Sequence, residues 1–507
     1  MNHKKIPILG PIVAIICFSI LFLSCEEDIP ELSELTVPDA VSLDADAGDW
    51  AYVLESDYLN DLSLAGPATV DSDAYQGELE ELAAATARRT ADQEIKVRYW
   101  GAGGVLRWNR ILRDLVAKYN IAPPPGVVQD PKKPVANPPF AARAYAMLSV
   151  AQHDALIATW KLKYTVNRPA PSIIDDRINT VFPTTDLPSY PSENAVIAST
   201  SLTVLKSLFP LESDFLDALA EEQVNTVRWG GTGTQSDIAD GWSLGTFVAS
   251  KILERARTDR MDAAGDLQET YKAFFDINPS TIPVAWVSLA NPEVFPILPM
   301  YGRVKTWHDS TAVFSHLPPP PPDVGSEAFE ADIAYVKSIS LDRSREQWRI
   351  SSFWEDGGGT YTPPGHWNAI AEDLLVDAQW SEVRTARAFS IMNRAVMDSG
   401  ILCWFAKYKY YFPRPSQIDP EIKTSAGIPN FPSYTSGHSS FSSTAGTVLG
   451  YLFPDQREEM QRQYIEAGDS RVYGGIHYEF DNVEGRVSGV AIGELAISLA
   501  RQDGADE

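Results

Sequence analysis

Disulfides have little to work with in this chain: its 507 residues include three cysteines, Cys17, Cys25 and Cys403, two of them within the first 25 positions. A disulfide framework is excluded, and stability has to come from packing. Basic charge is scarce too. Lys and Arg number 42 against 68 Asp and Glu, a formal charge of −26. No basic patch stands out of the kind that releases counterions from a phosphate backbone, so nucleic acid is excluded as a partner. Runs of strict apolar–polar alternation, the mark of a half-buried strand, are hard to find. What remains is a chain 44% apolar and 22% charged, the balance of a large globular protein. Its length alone predicts two or more domains.

One long apolar run is present, Ile6 to Ser24, preceded by Lys4 and Lys5 and followed by Cys25. A basic n-region, an apolar h-region and a small residue before the break read as a secretory signal. "FLSC" resembles a bacterial lipoprotein cleavage box, which implies removal of residues 1–24 and lipidation of Cys25. Glu26, Glu27 and Asp28 resemble the acidic tract that follows the lipid-bearing cysteine in surface-exported lipoproteins. The alternative is an uncleaved single-span anchor, because the run is close to the roughly 20 residues a span needs. Either way the folded part is expected outside the cytoplasm, on a membrane. Residues 25–65, acidic and without apolar periodicity, read as a flexible tether. Within them "DADAGD" (44–49) reads as solvated linker, since a calcium loop needs a terminal glutamate.

An internal repeat sets the architecture. "HDALIATWKLKY" (153–164) and "MDSGILCWFAKY" (397–408) share Asp154/Asp398, Trp160/Trp404, Lys163/Lys407 and Tyr164/Tyr408, all 244 apart. At the same offset "PSYPSENAVIASTSLTVLKSLFP" (188–210) and "PSYTSGHSSFSSTAGTVLGYLFP" (432–454) are identical at 12 of 23 positions. Gly230, Gly231, Asp237, Gly241 and Gly245 fall on Gly474, Gly475, Asp481, Gly485 and Gly489. Apolar residues recur every three to four positions over 141–160 and 387–408, and shorter helices are predicted at 195–208, 213–227, 238–256, 438–452, 456–467 and 485–501. The expected fold is all-α, two related helical bundles about a pseudo-twofold axis. The expected order is leader 1–24, tether 25–65, N-terminal half 66–260, connecting region 261–386 and C-terminal half 387–507. The run Pro318–Pro322 in the connecting region reads as a stiff surface connector.

The two copies differ where chemistry would sit. Opposite Gly437, His438, Arg471 and His477 the first copy has Glu193, Asn194, Val227 and Gly233, although it keeps Lys163 and Arg168. A purely structural role would give the first copy equal use for those residues, so chemistry is assigned to the second. Three stretches supply its parts: "KYKYYFPRP" with Lys407 and Arg414, "PSYTSGH" with Ser436, Gly437 and His438, and "SRVYGGIHYEFD" with Arg471, His477 and Asp481. Two guanidiniums and an ammonium neutralise a multiply charged oxyanion. A glycine at a helix start lets backbone approach it. Two histidines divide bonding to the central atom from proton transfer.

Taken together, Lys407-x6-Arg414-Pro415, Pro432 to His438 and Arg471-x5-His477-x3-Asp481 resemble the signature of vanadium-dependent haloperoxidases and of the type 2 phosphatidic acid phosphatases that share their site. That resemblance implies Lys407, Arg414 and Arg471 around the equatorial oxygens of vanadate, assisted by Ser436 and Gly437. It implies His477 as axial vanadium ligand, or as phosphate-accepting nucleophile in a phosphatase, with His438 as acid/base and Asp481 orienting His477. Trp404 and Phe431 match pocket positions of chloro- and iodoperoxidases. His366, in "TPPGHWNAIAEDL", resembles a stretch of bacterial haloperoxidase-like proteins and is expected at the pocket rim, a capping histidine being the alternative. His153 reads as core. The implied activity is vanadate-dependent oxidation of halide by hydrogen peroxide to hypohalous acid. The alternatives are an acid phosphatase acting on a phosphomonoester through a phosphohistidine, and a non-catalytic oxyanion-binding surface lipoprotein. The expected membrane partner is reached through the lipid anchor, and oligomeric state is left open.

Overall fold

Both copies start and stop their longest helix alike. In the first, the Asn137 side chain accepts a hydrogen bond from the Phe140 amide, two prolines fill the first turn, and Asn167 ends the helix at φ 51°. In the second, Ser381 accepts from the Arg384 amide and Tyr411 ends the helix at φ 50°. A capped start satisfies orphan amides and a left-handed residue stops propagation. The structure is a computed structural model and describes residues 42–121, 135–291 and 293–505. The leader 1–24, Cys25 and the first part of the tether lie outside the described residues.

Helices α1 (Asp73–Ala87), α2 (Ala91–Gly101) and α3 (Gly104–Tyr119) lead into the long α4 (Pro138–Val166), then α5 (Glu193–Leu208), α6 (Ser213–Gly230) and α7 (Gln235–Ala256). Between the halves come α8 (Glu327–Leu341), α9 (Arg345–Phe353) and α10 (Thr362–Ala378). The second half is α11 (Glu382–Tyr410), α12 (Gly437–Leu452), α13 (Arg457–Tyr473) and α14 (Glu479–Ala500). The all-α class is as expected: no strand occurs among the described residues. None of the described helices is long and apolar enough to cross a membrane. The long helices α4 and α11 pack on each other, and one buried cluster containing Trp108, Trp160, Ile401 and Trp404 runs through both halves.

Two of the repeated glycines mark close helix crossings. A Cβ on Gly245 of α7 would stand 2.4 Å from the Val196 carbonyl oxygen of α5, and one on Gly489 of α14 would stand 2.5 Å from that of Ser440 on α12. Only glycine fits there.

The tether expectation is corrected for residues 42–65. Far from being solvated, Asp44 is buried and accepts from Arg384 Nε at 2.9 Å and from Ser381 Oγ at 2.5 Å. The Leu43 carbonyl accepts from Trp160 Nε1 at 2.9 Å, and the Val53 and Leu54 amides donate to Asp154 at 2.9 Å each. The second half repeats this strap. The Ile297 carbonyl accepts from Trp404 Nε1 at 3.2 Å, and the Trp307 and His308 amides donate to Asp398 at 2.8 and 2.9 Å. Each strap satisfies a buried aspartate, so burial of Asp154 and Asp398 requires it. The proline run is likewise fastened down: Tyr410 donates to the Pro318 carbonyl at 2.7 Å and Tyr434 to that of Pro319 at 2.6 Å.

Candidate active site

The C-terminus of α11 and the N-termini of α12 and α14 converge in the second half. Lys407, in the last turn of α11, is fully buried and donates to the Pro432 carbonyl at 3.0 Å, to that of Ser433 at 2.8 Å and to that of Thr435. The loop before α12 is thus wrapped around its ammonium. Ser436 caps α12 by accepting from the Ser439 amide at 3.4 Å, while its own amide donates to the Asp481 carbonyl at 3.0 Å and ties α12 to α14. Gly437 keeps the helix mouth open: the nearest atoms to a Cβ there would be Trp404 Cζ3 at 3.7 Å and Phe441 Cε2 at 3.8 Å.

His477 is oriented from both sides. Its Nδ1 lies 2.8 Å from Asp481 Oδ2, and Arg414 Nη1 lies 3.0 Å from its Nε2. A carboxylate accepts and a guanidinium donates, so Nδ1 carries the proton and Nε2 the lone pair. Ser433, absent from the expected set, donates to the same Asp481 oxygen at 2.5 Å. Burial, with Arg414 and Lys407 beside it, holds His477 well below the usual imidazole range, and burial pushes Asp481 up to about 6. Arg414 also donates to the Ile476 carbonyl at 2.8 Å and that of Phe431 at 3.0 Å.

The loop after α9, in the region between the halves, builds the opposite wall. Arg471 donates to the carbonyls of Trp354 at 3.2 Å and Glu355 at 3.4 Å, while its Nε is buried without a partner. Next along, Asp356 sits left-handed at φ 47° and points Oδ2 at His438 Nε2 across 3.8 Å, and both atoms are buried without a hydrogen bond. Burial and then Arg471 hold His438 well below the usual imidazole range.

These walls enclose a cavity of 330 Å³ whose lining includes Trp404, Phe431, Gly437, His438, Arg471 and His477. Lys407, Arg414, Ser436 and Asp481 form the layer beneath. The Trp404 and Phe431 rings stand 5.0 Å apart. His366 does not line it, which corrects its expected rim position. Its Nδ1 lies 3.0 Å from Asp356 Oδ1 and its ring stacks on Trp354 at 4.4 Å, so it buttresses the loop from behind. The first half is more than a buttress, because Asn120, Asn137 and Pro138 also line the cavity.

Charge distinguishes the two copies. In the first, Lys163 pairs with Glu193 at 2.8 Å and Arg168 pairs with Asp237. In the second, glycine replaces that glutamate, and Lys407, Arg414 and Arg471 have no carboxylate within 4.0 Å among the described residues. Burial lowers Lys407 to about 7 and Arg414 and Arg471 to about 10. A buried cluster of three cations with no carboxylate paired to any of them calls for an anion.

Residues 389–504 match the PAP2 superfamily model. The non-specific acid phosphatase of Providencia stuartii is 28% identical over 185 residues, 35% of this chain and 71% of that protein. The vanadium chloroperoxidase of Curvularia inaequalis is 25% identical over 378 residues, 61% of this chain and 60% of that protein. Among solved structures, a bacterial vanadium-dependent iodoperoxidase superposes with a TM-score of 0.61 at 21% identity, over 78% of this chain and 96% of that one. A bacterial vanadium-dependent chloroperoxidase gives 0.52 at 14% identity, over 77% and 98%. The family match and the relatives join residues 389–504 to the superfamily of vanadium haloperoxidases and acid phosphatases, and the solved structures share the fold. Enzymes of both kinds are among the relatives.

Proposed function

We propose that the second half holds vanadate and that the protein is a vanadium-dependent haloperoxidase, oxidising halide with hydrogen peroxide. One observation carries the reading: the first copy pairs its cations with the carboxylates of Glu193 and Asp237, whereas in the second Lys407, Arg414 and Arg471 donate to backbone carbonyls and have no paired carboxylate. The residues fit a tetrahedral oxyanion. Arg471 Nε and His438 Nε2 are buried atoms in want of partners, and the neutral His477 carries an Nε2 lone pair that Arg414 Nη1 meets at 3.0 Å and that a ligand would take over. Arg471 and the Gly437 amide would hold the oxygens together with Ser436 and with Lys407 and Arg414, whose N–H groups would turn from the loop carbonyls to the ligand, and His477 would hold the metal. Bound vanadate supplies Lewis acidity without changing oxidation state. The chain's own residues do the rest: Asp481 and Ser433 fix the His477 tautomer, His438 stands neutral at pH 7 to take a proton, and Trp404 with Phe431 keeps bulk water from one wall. The two-bundle architecture and that aromatic pair favour halide chemistry over phosphate ester hydrolysis. We further propose that Cys25 is lipidated and holds the protein on a membrane outside the cytoplasm.

Adding orthovanadate to metal-free protein should create peroxide-dependent oxidation of iodide, bromide or chloride that His477→Ala abolishes. Hydrolysis of p-nitrophenyl phosphate inhibited by vanadate, without halide oxidation, would instead identify a phosphatase. Oxyanion affinity without either turnover would identify a binding protein.

A further inference from the structure

Phe405, the residue after Trp404 on α11, lines a different cavity, of 690 Å³. Three basic side chains reach it: Arg260, Arg303 and Lys305. Among the described residues none of the three makes a side-chain hydrogen bond or an ion pair, although the chain carries a net −26. Arg303 is held in place by the Phe274 ring, 3.9 Å from its guanidinium. A fourth cation lies below: Arg255 donates to the Thr306 carbonyl at 2.7 Å and stacks 3.6 Å over Trp307. Asp309 is the one carboxylate in the lining, and it caps a helical turn by accepting from the Ala312 amide.

A second, independent feature lies in the same wall. His308, whose side chain is 2% exposed, lines the cavity, and its Nδ1 lies 2.8 Å from Asp398 Oδ2. The carboxylate fixes the proton on Nδ1, so Nε2 presents a lone pair, and that atom is buried with no partner. A buried acceptor of this kind is costly unless something donates to it.

We propose that this hollow binds a small organic anion independently of the oxyanion cage. Its carboxylate or phosphate head lies on Arg260, Arg303 and Lys305, its apolar body on Phe274 and Phe405, and a hydroxyl of the ligand donates to His308 Nε2. Basic groups converging in a concave, partly apolar wall concentrate such an anion against the surrounding negative field.

Calorimetric titration of the full chain with phenylphosphonate, benzoate and 4-hydroxybenzoate tests this. The head that binds more tightly identifies the acidic group, and 4-hydroxybenzoate should bind more tightly than benzoate. Arg260 and Lys305 are exposed, so the double variant Arg260→Ser/Lys305→Ser should keep the parent's melting temperature while losing about tenfold or more in affinity. Absence of binding for every probe, or binding unchanged in the double variant, overturns the proposal. Equal affinity of the two benzoates overturns the role of His308.

Discussion

Burial sets the protonation of the cage before any ligand enters it. A lysine is charged below its pKa, and burial brings Lys407 down to about 7, so the cage loses positive charge as pH rises through that value. Sulfate stays dianionic over this range and therefore reports the protein alone. Its affinity, measured by calorimetry from pH 5.5 to 8.5, should be highest at the acid end and fall above about 7, whereas a flat profile would contradict Lys407 as part of the anion site. At this scale the sequence spoke through contrast: His438, Arg471 and His477 were legible because the twin copy lacks them. Asp356 and the Trp354 and Glu355 carbonyls were not, since backbone acceptors carry no side-chain signature. Glu-Asp ahead of three glycines was the one available hint. Ser433 lay inside a quoted motif, but no spacing rule says which serine reaches an aspartate 48 residues away. Spacing equally cannot separate a rim residue from one a layer back, hence the misplacing of His366.

Helix crossings impose their own constraint. Because Gly489 faces the Ser440 carbonyl at a distance no Cβ tolerates, Gly489→Ala should force α12 and α14 apart. The expected cost is about 1–3 kcal/mol, read as a lowered midpoint in thermal or urea unfolding, and an unchanged midpoint would show that the crossing relaxes freely. The helices of the repeat were readable from three-to-four periodicity, although α4 and α13 run on past their expected ends and α14 starts well before its expected first residue. Those outside it were not marked. Helix α2 buries only Val97 and Trp100, and α9 only Ser351, too little apolar surface to draw a stripe. The straps escaped for another reason. Asp154 and Asp398 were visible as a matched pair, but what they bind is backbone amide, which any residue offers.

At the scale of the molecule, duplication has produced two hollows of opposite character. The first half keeps one of 420 Å³ lined by Trp160, Leu187, Glu193 and Asn194, where the second has Trp404, Phe431, Gly437 and His438. Glu193 supplies the carboxylate partner of the buried Lys163 there. Glu193→Gln should therefore lower stability by about 1–3 kcal/mol yet leave vanadate-dependent turnover in the second half intact. Loss of turnover would tie the two hollows together more closely than their contacts indicate. Asn120 pins the glycine-rich loop through Gly357 and Thr360, and with Asn137 and Pro138 it shapes the mouth of the reactive hollow. The first half thus shapes part of the mouth but contributes none of the cationic cluster. Substitutions in the first half can therefore change what is admitted to the hollow while the cationic cluster beneath it stays untouched.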